Sequence, residues 1–387
     1  MADGIVHIDH LDPASVVAVA RRGAQVAMGG EARERVGASR VLVERMIDDT
    51  HAVYGVTTGF GALASTRIPA EKRLELQHSL LRSHASGMGP FVEPEVVRAM
   101  MAIRAKTLSA GYSGVRPELI DALMGLLNAG LTPAVPEYGS MGASGDLAPL
   151  AHIGLCLTGE GWMLERGEPV PAGEALRSVQ IQPFRLATKE GLALINGTDG
   201  MLAMLVMALE DMELLLKTAD VTAAMSVEAL LGTDRVFRRE LHAMRPHPGQ
   251  LASAGNIAGM LSGSPIVASH RDSPHLVQDA YSLRCAPQVY GAARDTLDHA
   301  ALVAGRELDS VTDNPVVLPD GRVESVGNFH GEPLAFVLDF LAIAASEVGA
   351  ITERRIDRML DPKRSEGLPA FLSPQPGVNS GFMIPHY

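Results

Sequence analysis

The sequence is poor in cysteine and in aromatic side chains, and both shortages limit the possible architectures. Its 387 residues include only Cys156 and Cys285, too few for a disulfide framework, so we expect two reduced thiols. Aromatic residues make up 4% of the chain, against 47% for all hydrophobic residues. A core built mainly from Ala, Leu, Val and Met favours closely packed helices over aromatic-rich sheets.

The chain also lacks an excess of positive charge. Its 45 acidic residues outnumber 33 basic ones, and the net charge of −12 excludes a general nucleic-acid binder, which needs a basic face. The N-terminus has no charged-then-apolar targeting signal. The best candidate for a membrane span, residues 201–216, is interrupted by Glu210, Asp211 and Glu213. We therefore predict a soluble cytoplasmic protein with neither a nucleic-acid nor a membrane partner.

Helical patterns recur along the chain and predict a mainly α fold. Pro117 opens one helix, and Gly130 follows the end of that helix. Residues 33–46 fit a second helix, while 201–217 and 334–360 fit unusually long ones. A helix over 334–360 would span about 40 Å, a length typical of a long up-down helical bundle.

Strand patterns are few and short. Residues 4–8, the stretch 316–318 and a hairpin over 162–171 are the plausible ones.

The helical and strand patterns together predict two domains. A glycine-rich N-terminal domain with a few short strands covers residues 1–198, and a central helical-bundle domain, incomplete at its C-terminus, covers residues 199–387.

The most informative local sequence is the run of small residues over 139–150, centred on Ala143-Ser144-Gly145. If the amide nitrogen of Gly145 attacks the carbonyl carbon of Ala143, a five-membered ring closes. Loss of water from that ring and from the Ser144 side chain leaves a methylidene-imidazolone, a strong electrophile. Glycine at 145 suits this step because a Cβ would obstruct the approach. The alternative is an ordinary helix start with Ser144 near the N-cap and Asp146 in the first turn, but three glycines spaced three residues apart favour a tight loop.

Six segments carry a resemblance to a known family. They are residues 53–61, 83–85, 139–149, 194–198, 278–284 and 327–330. On these segments the chain resembles the ammonia-lyases that carry a self-made methylidene-imidazolone, the aromatic amino acid lyase family. Within that family it is most similar to the members that act on histidine.

The resemblance implies a carbon–nitrogen lyase that removes ammonia from L-histidine to give trans-urocanate. It implies a methylidene-imidazolone formed in the N-terminal domain from Ala143, Ser144 and Gly145, with no pyridoxal phosphate and no required metal. Family members are four-subunit assemblies that build each active site from several subunits, so we expect a homotetramer. The expected substrate is a small amino acid. The family also continues beyond Tyr387, so the chain is expected to be truncated.

Three residues combine suitable chemistry with the resemblance. Tyr54 lies in a loop with three glycines and is the expected general base, provided that nearby positive charge helps its weakly basic phenol. His84 can hydrogen-bond the substrate imidazole, and the pair Ser83-His84 matches the histidine-specific members. Asp146 is expected to assist ring formation.

Five further residues complete the predicted site. Arg284 can clamp the substrate carboxylate with two parallel hydrogen bonds, and Tyr281, expected to be catalytic, lies three positions earlier on the same helix face. Gln278 lies one more such step back and is expected to bind substrate. The resemblance implies that Asn196 contacts the carboxylate and the imidazolone, and that Phe329 covers the ring and excludes water.

Other functions remain as alternatives. Within the family these are a phenylalanine or tyrosine ammonia-lyase, which differ at Ser83-His84, and an aminomutase, which readds ammonia. An inactive truncated scaffold is the alternative from another class. A serine hydrolase is disfavoured because Asp146 replaces the final glycine of the nucleophile motif. The histidines over 270–275 are weak evidence for a metal.

Overall fold

A computed structural model describes residues 4–47, 58–59, 66–142, 145–273 and 277–387. Helices account for most of them, and strands are few and short, so the predicted mainly α fold is confirmed. The helices are α1 (Pro13–Arg22), α2 (Gly30–Ile47), α3 (Arg73–His84), α4 (Pro94–Ser109), α5 (Pro117–Asn128), α6 (Leu147–Leu157), α7 (Ala172–Ser178), α8 (Glu190–Ile195), α9 (Asp199–Ala229), α10 (Arg239–Ala243), α11 (Pro248–Leu261), α12 (Pro265–Ser269), α13 (Tyr281–Arg284), α14 (Ala286–Leu308) and α15 (Glu332–Leu360).

The strands form four separate two-stranded sheets within the described residues. They are β1 (Val6–His7), β2 (Val26–Ala27), β3 (Met88–Phe91), β4 (Pro136–Tyr138), β5 (Trp162–Glu165), β6 (Glu168–Pro171), β7 (Val316–Val317) and β8 (Val323–Glu324). β1 and β2 pair in parallel, and the other three pairs are antiparallel. The predicted hairpin is confirmed: Trp162 pairs with Pro171, and positive φ angles at Arg166 and Gly167 give the turn that a right-handed hairpin twist requires.

Local sequence explains where several helices begin and end. The Asp12 carboxylate accepts a hydrogen bond of 2.7 Å from the backbone N–H of Ser15 and so caps α1. Proline occupies the first helical position of α1, α4 and α5, where its missing N–H costs no helical hydrogen bond. The α1 helix ends at Gly23, whose φ of +65° is the left-handed cap conformation.

Contacts divide the chain into two compact units, and unit 1 consists of Met1–Met207 and Leu302–Phe336. Its core is built around α4, in which 13 of 16 residues are buried. The α4 helix packs against α1, α2 and α5, while α6 and α8 pack against α3. The Cys156 side chain in α6 is buried and not disulfide-bonded; burial raises the pKa of its thiol to about 12, and the Sγ–H donates to the carbonyl of Trp162.

Unit 2 consists of Ala208–Ala301 and Val337–Tyr387. Side chains connect its long helices: Arg294 of α14 binds Asp220 of α9 at 2.6 Å, and the buried Arg355 of α15 donates to the hydroxyl of Tyr290 in α14. The predicted long helices are confirmed, and α9 extends beyond its predicted end to 31 residues, about 46 Å. The predicted boundary between domains at residues 198 and 199 stays a prediction.

Two helical stretches in the described residues are long and apolar enough to cross a membrane, by length and composition only: Glu190–Ala229 and Glu332–Leu360. The first contains residues 201–216, the candidate considered from sequence. The second is the helix predicted over 334–360, and 22% of its most apolar window is buried by the rest of the chain. The first stretch is largely buried by the rest of the chain, as a core helix is.

Candidate active site

In the glycine-rich loop before α6, the residues that flank positions 143 and 144 hydrogen-bond to one another. Ala143 and Ser144 lie outside the described residues, but both flanking glycines are described and have positive φ angles, +56° at Gly142 and +96° at Gly145. The N–H of Gly145 donates to the carbonyl of Gly142 at 2.8 Å, and the N–H of Met141 donates to the carbonyl of Gly145 at 3.1 Å. The tight loop predicted from the glycine spacing is therefore present.

Gly145 is also packed too closely for any other residue. A Cβ at this position would lie 3.0 Å from the carbonyl oxygen of Gly197 and 3.4 Å from that of Phe329. Its φ of +96° would in addition strain any side chain. Segments 194–198 and 327–330, predicted from sequence to belong to the site, thus meet the loop at Gly145.

Asp146 does not act as the cap of its own helix. Although α6 begins at the next residue, the Asp146 side chain makes no capping bond to it. Its buried carboxylate instead accepts hydrogen bonds from the hydroxyl of Ser140 at 2.6 Å and from the N–H of Met201, in the first turn of α9, at 2.9 Å. The helix-start interpretation of this motif therefore explains the position of α6 but not the role of Asp146.

Burial determines the charge of Asp146. The pKa of this carboxyl is raised to about 6, chiefly by its removal from water and in addition by the nearby Asp199 carboxylate. The hydrogen bonds from Ser140 and from the start of α9 act in the opposite direction because they stabilise the ionised form. The group can therefore hold or release a proton close to neutral pH beside the residues expected to cyclise.

Asn196 follows α8 and is almost fully buried. Its amide donates to the backbone carbonyl of Asn314 at 2.6 Å, and the side-chain oxygen of Asn314 accepts the N–H of Val326 at 2.8 Å. Val326 lies three residues before the half-buried Phe329. Asn314 therefore connects Asn196 to the segment that carries Phe329, and sequence reasoning missed it; the available signal was the turn-forming Asp-Asn-Pro at 313–315.

His84 is the last residue of α3 and is half-buried. Its Nδ1 lies 3.0 Å from the carbonyl oxygen of Leu80 and 3.0 Å from the hydroxyl of Ser83. A carbonyl can only accept, so this contact assigns the ring proton to Nδ1 and leaves the lone pair on Nε2. Its predicted contact with a substrate imidazole stays a prediction.

The remaining predicted residues belong to unit 2 or to residues that are not described. Tyr54 lies outside the described residues. Tyr281 and Arg284 form the two ends of α13, and the guanidinium lies 4.5 Å from the centre of the tyrosine ring, so the predicted shared face is present. Arg284 also donates to the carbonyl of Asp279 at 2.9 Å. The carboxylate clamp and the roles of Tyr281 and Gln278 stay predictions.

No cluster of three or more His, Cys, Asp or Glu side chains suited to a metal ion occurs among the residues whose placement is described. The sequence had suggested the histidines over 270–275 as weak candidates for metal ligands. The described His270 contacts the backbone carbonyl of Gly232 at 2.9 Å, and His275 lies outside the described residues.

Comparison with known proteins gives matches over nearly the whole chain. The pattern of the aromatic amino acid lyase family matches residues 11–387. A histidine ammonia-lyase of Streptomyces griseus is 60% identical over 373 residues, which is 96% of this chain and 73% of that protein. A histidine ammonia-lyase of Deinococcus radiodurans is 48% identical, over 96% of this chain and 71% of that protein.

Solved structures agree on the fold. A tyrosine aminomutase from Streptomyces globisporus has a TM-score of 0.92 at 38% identity, covering 99% of this chain and 76% of that one. A histidine ammonia-lyase from Trypanosoma cruzi has a TM-score of 0.87 at 40% identity, covering 99% of this chain and 72% of that one. The helical fold and the similarity to histidine ammonia-lyases together indicate a carbon–nitrogen lyase. More particularly, the chain belongs to the aromatic amino acid lyase family, the group that depends on a methylidene-imidazolone.

Replacing Asp146 with Asn should remove one component of the pH dependence of stability. The folded-state pKa of about 6 lies above the ordinary value of 3.8. The folded chain therefore keeps a proton that the unfolded chain has released, and the free energy of unfolding falls as pH rises between these values, by about 1.4 kcal/mol per pH unit. The contribution of the Asp146 proton to the free energy of unfolding is complete below pH 3.8 and is lost above pH 6. Denaturant unfolding from pH 4 to pH 7 measures it.

The control is Asp320→Asn, because Asp320 is an exposed turn residue whose pKa is lowered by hydrogen bonds from Arg322. This variant should keep the decline in stability between pH 4 and pH 6. Parallel curves for the wild type and Asp146→Asn would contradict the assignment of this titration to Asp146.

Proposed function

We propose that the chain removes ammonia from L-histidine to give trans-urocanate, with an electrophile formed from its own backbone. The observation that supports histidine as the substrate is the 48–60% identity to histidine ammonia-lyases over nearly the whole chain. The similar aminomutase structures are 38% identical or less. The high TM-scores do not separate these activities, since they describe a fold that both share.

The cofactor is a methylidene-imidazolone formed by Ala143, Ser144 and Gly145. The nitrogen of Gly145 bonds to the carbonyl carbon of Ala143, and the former carbonyl oxygen leaves as water with two amide protons. The Ser144 hydroxyl leaves as a second water with the proton on its own Cα. Nothing is oxidised or reduced. The described residues suit this chemistry, because only glycine fits at 145 and an acid with a pKa of about 6 follows it.

Once formed, the group supplies an electrophile that makes the amino nitrogen of the substrate a better leaving group. The other residues bind, orient and move protons. Tyr54 removes the proton from the β-carbon, and Tyr281 assists. Asp146 holds or releases a proton during ring formation. Phe329 excludes water from the electrophile, which water would otherwise consume.

Substrate recognition divides between the two ends of the amino acid. The lone pair on His84 Nε2 accepts a hydrogen bond from the substrate imidazole, a contact that phenylalanine cannot make. Arg284 binds the carboxylate with two parallel hydrogen bonds. Asn196 is a further carboxylate contact, and Gln278 binds substrate. The arginine is already oriented by its stacking on Tyr281 and its bond to the Asp279 carbonyl, which reduces the entropy lost on binding.

We further propose a homotetramer with shared active sites, located in the cytoplasm. Exposed apolar side chains on α15 support association: Phe336, Phe340 and Ile343 are 55%, 47% and 63% exposed and lie at positions that share one helix face. Sedimentation velocity should give four chains per particle. A stable monomer with full activity would contradict the shared sites.

Replacing Ser144 with Ala should prevent the second loss of water and with it the electrophile. The intact mass of the wild type should be lower than the sequence predicts by two water molecules, while the variant should not show this loss. Urocanate formation, followed by its ultraviolet absorbance, should fall at least about 1,000-fold. Undiminished turnover would overturn the proposal, and an unmodified, inactive wild type would favour the scaffold alternative.

Replacing His84 with Leu should weaken histidine recognition without affecting the electrophile. Loss of one hydrogen bond to the imidazole is worth about 1.5–3 kcal/mol, or about 10- to 100-fold in kcat/KM. The loss of two waters should be retained in the intact mass. His78→Leu, on the same helix α3, is the matched control and should keep the wild-type kcat/KM. Equal effects of the two variants would exclude a specific role for His84.

A further inference from the structure

An ion pair buried in unit 1 has no role in the site as described so far. Arg104 of α4 and Asp199, the first residue of α9, are each 1% exposed, and their Nη1 and Oδ2 atoms lie 3.0 Å apart. Burying two charges costs several kcal/mol per ion before their attraction is counted. Such a pair is therefore weak evidence for stability and calls for another explanation.

The hydrogen bonds of Arg104 show what the pair holds. Its Nε donates at 2.8 Å to the carbonyl of Ala193, near the C-terminal end of α8, and its Nη2 donates to the same oxygen. Its Nη1 reaches Asp199. One guanidinium thus fixes both ends of the segment 193–199 that joins α8 to α9. These simultaneous contacts require arginine, because its planar guanidinium carries N–H donors that point in different fixed directions. A lysine ammonium has its charge and donors at a single nitrogen.

Gly197 lies in the middle of that segment, directly against the ion pair. A Cβ on Gly197 would come within 2.3 Å of both Arg104 Nη1 and Asp199 Oδ2, so no side chain fits there. The Gly197 carbonyl oxygen accepts the N–H of Asp146 at 2.8 Å. That N–H belongs to the peptide group whose carbonyl is that of Gly145. The ion pair therefore holds Gly197 in place. The Gly197 carbonyl in turn orients the peptide group between Gly145 and Asp146.

We propose that Arg104 and Asp199 are positioning residues for the backbone cyclisation: through Gly197 they hold the peptide group between Gly145 and Asp146 in the geometry that lets the Gly145 nitrogen attack. This inference rests on the proposed function. The pair touches neither the substrate nor the reacting atoms. Ring closure within a chain depends on such pre-orientation, because a displacement of about 1 Å can cost about 100-fold in rate.

The test measures ring formation directly, by the fraction of purified chain whose intact mass is lower by two waters. Arg104→Lys keeps the charge but cannot bind Ala193 and Asp199 together, so the modified fraction should fall at least about tenfold. Arg98→Lys is the matched control. Arg98 is another buried arginine on α4, but it binds the carbonyls of Val19 and Leu127, remote from Gly145, and its lysine variant should be fully modified.

A second variant tests the same contact without replacing either residue of the ion pair. Gly197→Ala forces the ion pair and the Gly197 backbone apart and should also reduce the modified fraction. Gly125→Ala on α5, where a Cβ meets no atom within 4 Å, is its control. In both site variants kcat should fall in proportion to the modified fraction while KM stays unchanged, because each chain that does form the ring keeps an intact site. The comparison uses chains with wild-type circular dichroism and sedimentation.

The outcomes separate the two proposals. An unmodified wild type would overturn the self-made cofactor itself. A modified wild type together with fully modified Arg104→Lys and Gly197→Ala would overturn only the positioning role. If Arg104→Lys does not fold, Gly197→Ala decides alone: loss of the mass change supports the inference, and retention contradicts it.

Discussion

The hydrogen bond between the Asp146 N–H and the Gly197 carbonyl joins two glycine-rich segments that are far apart in sequence. Each segment needs glycine for its own reason. Gly145 has a left-handed backbone against a neighbouring carbonyl, and Gly197 lies against a buried ion pair. Because both partners are backbone groups, the distance between them is set by helix packing, and a side-chain rotation cannot relax it. The geometry of the glycine-rich loop before α6 is therefore determined by the positions of α4, α8 and α9.

The charges around this contact are distributed unevenly. Asp146, Asp199 and the half-buried Glu307 are three carboxyl groups in one region, and Asp199 raises the pKa of both others. Arg104 neutralises one of them, and N–H groups in the first turn of α9 bind the carboxylate of Asp146. A second fully buried pair, Lys189 with Asp313 at 2.8 Å, adjoins Asn314. The interior beside the site is thus polar but almost completely hydrogen-bonded.

Features that depend on neighbours in sequence were predictable. Prolines at helix starts, the long apolar periodicities and the turn at Arg166-Gly167 each specify local backbone, and the structure has the elements they predict. The tight loop before α6 was also predictable from its glycine spacing. What could not be predicted is which distant groups complete it. The carboxylate of Asp146 faces α9 rather than the helix it precedes, and Asn314 joins Asn196 to the Phe329 segment through its backbone carbonyl and its side-chain oxygen.

The thiol of Cys156 lies in α6, the helix that follows the reactive loop. With a pKa of about 12, on the order of one chain in 100,000 carries a thiolate there at pH 7. Thiolates are the side-chain nucleophiles best suited to add to a conjugated methylidene group. Burial thus keeps this sulfur in its protonated, weakly nucleophilic form, so Cys156 is a poor partner for the electrophile that we propose.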